Sequence, residues 1–90
     1  MGTALLKIKV MPESPETNLE ELQEKAKEIL EKNSAKGIKF DIEPIAFGLK
    51  SLIIGFGVDE SQELEPIENA LKSMENISSS EVIDMSRAIE

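Results

Sequence analysis

Two stretches of this 90-residue chain repeat apolar residues at helical spacing, and they are set among four stretches that alternate. Leu19, Leu22, Ala26, Ile29 and Leu30 form the first helical stripe, and Ile67, Ala70, Leu71 and Met74 the second. Each stripe must be buried against something. The alternating segments supply the surface: Thr3–Met11 with Ala4, Leu6, Ile8 and Val10 on one face, Lys36–Ile45 with Ile38, Phe40 and Ile42, the strongly apolar Leu49–Val58, and a short last segment, Glu81–Arg87. In that last segment Ile83 and Met85 share a face, and Val82 makes the facing ambiguous.

The punctuation agrees with this division. Pro12 and Pro15 end the first strand, and Thr17-Asn18-Leu19-Glu20-Glu21 offers two overlapping capping boxes for the first helix, which Asn33 to Gly37 closes. Pro44 restricts the second strand to an edge or a bulge, and Gly48 supplies the positive φ that a tight connection needs. The acidic Asp59–Glu65 opens the second helix, with Pro66 tolerated in its first turn, and Ser78-Ser79-Ser80 breaks it. The expected fold is α+β, a ferredoxin-like split βαβ sandwich of order βαββαβ. A four-stranded antiparallel sheet carries two helices on one face, and residues 1–90 form one domain. The other face is left open, with Lys7, Lys9 and Lys39 beside Asp41 and Glu43.

Composition excludes whole classes of chemistry. Cysteine and histidine are both absent, so thiolate metal sites, disulfides, the usual zinc sites and Ser-His-Asp catalysis have no parts to be built from. No catalytic residue, cofactor or metal site is expected. Ten basic against 18 acidic residues give a formal charge of -8. The excess lies in the second half: residues 1–50 hold 8 lysines and 9 acids, whereas residues 51–90 hold Lys72 and Arg87 against 9 acids. Such a chain is a poor partner for nucleic acid and a good one for a basic protein surface. Gly55 and Gly57 lack the third glycine of a dinucleotide fingerprint and read as bulge or close-packing positions. No apolar run reaches the length of a membrane span, and the chain is expected to be soluble and cytoplasmic.

A ferredoxin-like scaffold does not choose its function. On residue types alone, a small-molecule-binding regulatory domain acting as a dimer stays open as an alternative. Three segments, however, resemble translation elongation factor 1 beta of the archaeal type: Val10-Met11-Pro12-Glu13-Ser14-Pro15, Pro44-Ile45-Ala46-Phe47-Gly48-Leu49-Lys50 and Asp84-Met85-Ser86-Arg87. The resemblance covers essentially the whole chain. It implies a guanine nucleotide exchange factor for elongation factor 1 alpha, the GTPase that delivers aminoacyl-tRNA, with no enzymatic chemistry of its own and no direct contact with nucleic acid or membrane. It also implies that Phe47, within the segment holding Gly48 and Lys50, contacts the GTPase, and that Arg87 matches the basic residue directed at the magnesium and phosphate region. Eukaryotic members often place a lysine there, and guanidinium differs from ammonium in being planar and delocalised.

Overall fold

A computed structural model describes residues 2–88, with the side chains of Phe47 and Ala88 outside the described part. The elements are β1 (Thr3–Pro12), α1 (Leu19–Lys32), β2 (Lys36–Pro44), a 3-10 turn (Ala46–Gly48), β3 (Lys50–Asp59), α2 (Glu65–Lys72) and β4 (Ile77–Ala88). The strands form one antiparallel sheet in the order β2-β3-β1-β4. This is the expected βαββαβ order. β1 and β2 run parallel with β3 between them, as do β3 and β4 with β1 between them, so each helix is a crossover between parallel strands. Right-handed crossovers of this kind put both helices on one face.

The core is the layer between. Leu6, Ile8 and Val10 of β1 and Leu52, Ile54, Phe56 and Val58 of β3 are buried against Leu22, Ala26 and Leu30 of α1 and Ile67 and Leu71 of α2. The alternation in β1 and the helical stripes therefore point where their spacing requires. α1 begins at the second of the two capping boxes, where Asn18 Oδ1 accepts from the backbone N–H groups of Glu20 (2.9 Å) and Glu21 (3.3 Å). At its other end the Asn33 side chain donates to the Ile29 carbonyl at 2.7 Å, and Ser34 takes a φ of 64° to turn the chain.

Three expectations are corrected. Ser78-Ser79-Ser80 does not break α2 but lies inside β4, where Ser79 and Ser80 pair with Met11 and Val10. The helix ends earlier, at Ser73, and Asn76 with φ 66° makes the turn into the strand. β4 is accordingly 12 residues long rather than the short segment from Glu81. Serine's local hydrogen bonding favours turns, but pairing along β1 outweighs it here. Secondly, Asp59 does not open α2: it ends β3, and its Oδ1 accepts from the Ser61 N–H (2.9 Å) and hydroxyl (2.6 Å) in a turn that precedes the helix.

The third concerns facing in β4. A bulge stands between the pairs Lys7–Asp84 and Ile8–Val82, so Ile83 has no partner on β1. The extra residue changes the parity of the strand. Val82 faces inward opposite Ile8, and beyond the bulge Met85 and Arg87 take the inward register opposite Leu6 and Ala4, while Asp84 and Ser86 face outward.

Leu30 is fully buried at the centre of the helix layer, and Leu30→Ala should cost about 2–5 kcal/mol in a urea unfolding titration. The two Ser61 hydrogen bonds hold the Asp59 carboxyl below its ordinary value. A lowered folded-state value stabilises above the unfolded pKa and is lost as pH falls through the folded one. The stability deficit of Asp59→Asn should therefore be present at neutral pH and shrink below about pH 4, read from unfolding curves across that range.

Candidate functional site

The structure places the expected site residues at opposite ends of the sheet. Lys50 opens β3 and pairs with Pro44 of β2, at the end where β1 finishes at Pro12. Arg87 pairs with Ala4, whose partner on the other side is Val58 near the end of β3. From Lys50 to Val58 the strand advances about 26 Å at its usual rise. Phe47, Gly48 and Lys50 therefore form one cluster and Arg87 another, along a molecule of 42 × 21 × 17 Å.

The first end is built by the connection from β2 to β3. Ile45 donates its N–H to the Leu49 carbonyl at 2.7 Å, and Leu49 returns a bond to Ala46 at 3.3 Å, so five residues reverse the chain as a compact turn. Phe47 is its central residue. Whether its ring projects outward or folds onto the core concerns a side chain outside the described residues. Gly48 has φ 77°, and nothing lies within 4 Å of where a Cβ would stand, so glycine is required there by the backbone alone. Beside the turn lies a groove of about 560 Å³ between Gly48 and Lys50 on one side and the β1–α1 loop, with Pro12, Pro15 and the start of α1, on the other. Ile42, 48% exposed at the edge of the sheet, adds an apolar wall. The first two segments singled out in the sequence thus meet in space. Ile42 could not be assigned to this groove from alternation, which places it with the core residues Ile38 and Phe40.

The second end is a smaller recess of about 270 Å³ between the ends of β1, β3 and β4 and the β3–α2 loop. Ala4, Val58, Leu64 and the 57%-exposed Met85 give it an apolar lining. Arg87 stands at its rim with its side chain 79% exposed, and its Nε lies 3.4 Å from Glu60 Oε2. This is the only ion pair among the described residues. Glu60 is itself fixed, because its N–H donates to the Gly2 carbonyl at 3.1 Å. The contact runs through Nε, and the Nη groups carry four of the guanidinium's five donors. Glu60 was not recognisable as Arg87's neighbour from sequence, since 26 positions and a crossover helix separate them. Gln62 supports the same loop by donating to the Asn33 carbonyl at the end of α1.

Between the ends, Phe56 is buried on the helix side, so the Gly55-Phe56-Gly57 run offers no exposed ring to a nucleotide base. No helix of the described residues is long and apolar enough to cross a membrane.

Comparison with known proteins shows the family. Residues 5–88 match the model of the EF-1 guanine nucleotide exchange domain. The chain is 46% identical over 91 residues to elongation factor 1-beta of Methanocaldococcus jannaschii, covering 98% of this chain and 100% of that protein. It is 42% identical over 87 residues to elongation factor 1-beta of Methanococcus maripaludis, covering 96% and 98%. The protein of the same name from Nanoarchaeum equitans is 40% identical over 83 residues, covering 90% and 100%.

Gly48→Ala should destabilise the domain by about 1–2 kcal/mol through backbone strain alone, measured by chemical denaturation. Glu60→Gln should change stability by less than about 1 kcal/mol, because the pair it breaks is largely exposed; a thermal melt within a few degrees of the parent checks this.

Proposed function

The chain belongs to the family of EF-1 guanine nucleotide exchange domains, whose members promote GDP release and GTP reloading on elongation factor 1 alpha during translation elongation, and from that premise we propose that its two ends divide the work. The Phe47 turn, with Gly48 and Lys50, docks on the GTPase. Arg87, some 26 Å away along the sheet, is directed at the region where the partner holds magnesium and phosphate. The chain 1–90 acts as a single exchange domain in the cytoplasm, with no covalent step and no contact with nucleic acid.

The physical requirement is modest. Magnesium demands near-ideal octahedral oxygen geometry, so a cation brought beside its phosphate ligands, or a displaced ligand loop, loosens the nucleotide. The exchange factor must bind the nucleotide-free GTPase better than the loaded one, and linkage then makes nucleotide and exchanger weaken each other by one common factor. A rigid sheet suits this task, because it holds a docking turn and a charged tip at a fixed separation without paying for order on binding. The observation that carries the reading is the placement of Arg87: exposed, engaged by Glu60 through Nε, and standing beside an apolar recess into which a partner side chain can pack.

The surrounding charge supports the same orientation. Asp59, Glu60, Glu63, Glu65 and Glu68 lie on the β3–α2 loop and the first turn of α2, at or near the Arg87 end. A negative field there favours approach to a basic surface and is screened by salt.

Release of labelled GDP from a matched elongation factor 1 alpha should be accelerated by micromolar amounts of this protein. No acceleration would remove the exchange reading for this chain. Phe47→Ala should raise the concentration needed for half-maximal exchange by about tenfold, the loss expected of one interfacial aromatic anchor. A large fall in its melting temperature would instead make Phe47 a core residue.

A further inference from the structure

The face of the sheet away from the helices holds a depression that neither end uses. Its floor is Gly55 and Gly57 of β3, two outward positions without side chains. A Cβ at Gly55 would meet only the Leu6 carbonyl, at 3.9 Å, so this part of the floor is empty space rather than a packing requirement. At Gly57 the Thr3 and Leu5 side chains already approach to 3.0 and 3.3 Å of that point and form the end wall. The depression measures about 250 Å³.

Both edge strands are irregular beside it. β2 holds three steps from Lys36 to Lys39 against two on β3 from Gly57 to Gly55, with Gly37 at φ 61° in the extra step. Without that bulge Lys36 would share the inward face with Ile38 and Phe40. With it, Lys36 stands opposite Gly57 and Lys39 opposite Gly55, both on the outer face. From the other side, Lys7 of β1 flanks Gly55, and the β4 bulge turns Asp84 and Ser86 outward next to Lys7 and Leu5. Three lysines from two strands therefore surround one glycine floor. None of them has a carboxylate within 4 Å among the described residues. The Asp59 carboxylate also interacts with Lys36, so three lysines against Asp84 and Asp59 leave a local excess of one positive charge in a chain whose whole charge is -8.

We propose that this depression is a binding site for a doubly charged phosphate group, carried as inorganic phosphate or as a small phosphate monoester. Lys7, Lys36 and Lys39 supply the donors and the charge, the Ser86 hydroxyl a further donor, and Asp84 an acceptor for a hydroxyl or protonated oxygen of the ligand. The missing side chains at Gly55 and Gly57 let the anion approach the sheet. RNA fits the surface less well, since among the described side chains no aromatic is placed on the outer face for a base to stack on. The site is independent of the exchange reading, as it uses neither the Phe47 turn nor Arg87.

The test is titration of the isotopically labelled full chain, followed by backbone amide shifts, with inorganic phosphate in one arm and glycerol 3-phosphate in the other, chloride being exchanged to hold ionic strength constant. Saturable shifts at Gly55, Gly57 and Lys39 with millimolar half-saturation in either arm support the site, and tighter saturation by the ester identifies an organic phosphate as its ligand. The Lys36→Ala/Lys39→Ala variant should bind about tenfold more weakly or not at all. Gly55→Val, which fills the floor, should lose binding while keeping a dispersed spectrum. Lys25→Ala/Lys27→Ala, altering two exposed lysines of α1, should bind as the parent does. Absence of saturable shifts in both arms overturns the proposal, as does equal loss in the α1 variant, which would mean that net charge alone is read.

Discussion

Strand β1 is hydrogen-bonded along its length to β3 on one side and β4 on the other, and the positions of all functional features follow from that double pairing. It is the only strand whose pairing places the beginning of the chain, its middle and its end side by side. Through Ala4 it sets Val58 beside Arg87; through Val10 and Pro12 it brings the Pro12–Pro15 loop to the end where the β2–β3 turn lies. A slip of one residue would exchange the buried Leu6, Ile8 and Val10 for Leu5, Lys7 and Lys9, placing two ammonium groups in the core. That cost fixes the register. The register in turn fixes the distance between the two ends.

On the proposed reading, the division of the sheet into two ends lets so small a chain act on a large partner. One end is a turn held by two backbone hydrogen bonds and a left-handed glycine, beside a groove. The other is a charged tip beside an apolar recess. Neither needs to move, and the helices stiffen the sheet between them. Because the lysines are concentrated in the first half, the net negative charge falls in the second, where Lys72 and Arg87 stand against 9 acids, and on the proposed reading that field steers the approach while the Arg87 charge acts locally. Glu60 refines this picture, for it engages Arg87 through Nε.

Most of the fold was legible from spacing. The stripes Leu22-Ala26-Leu30 and Ile67-Leu71 and the alternation of β1 give element type, order and inward face, and Pro44 correctly marks β2 as an edge strand. What escaped the sequence was set by pairing over distance. The extent of β4 through Ser78–Ser80 depends on β1 offering partners there, and no local signal in three serines reports that. The bulges at Gly37 and Ile83 change strand parity, so Val82 faces inward, Ile83 drops out of the ladder, and Lys36 turns to the outer face; Met85 still takes the face opposite to that of Asp84 and Ser86, as alternation has it. Of the candidate site, the turn around Phe47 and the importance of Gly48 were visible locally, whereas Ile42 and Glu60 became neighbours only through the closed sheet.

The central claim is that docking and nucleotide release reside at opposite ends of one rigid sheet. Its most direct test is Arg87→Ala, measured twice: affinity for nucleotide-free elongation factor 1 alpha by titration calorimetry, and the saturating rate of GDP release by stopped flow. The account predicts an affinity within about threefold of the parent, a shift of under about 1 kcal/mol, with a saturating release rate lowered by about tenfold or more. Affinity and rate falling together in proportion, or a saturating rate unchanged from the parent, would contradict it.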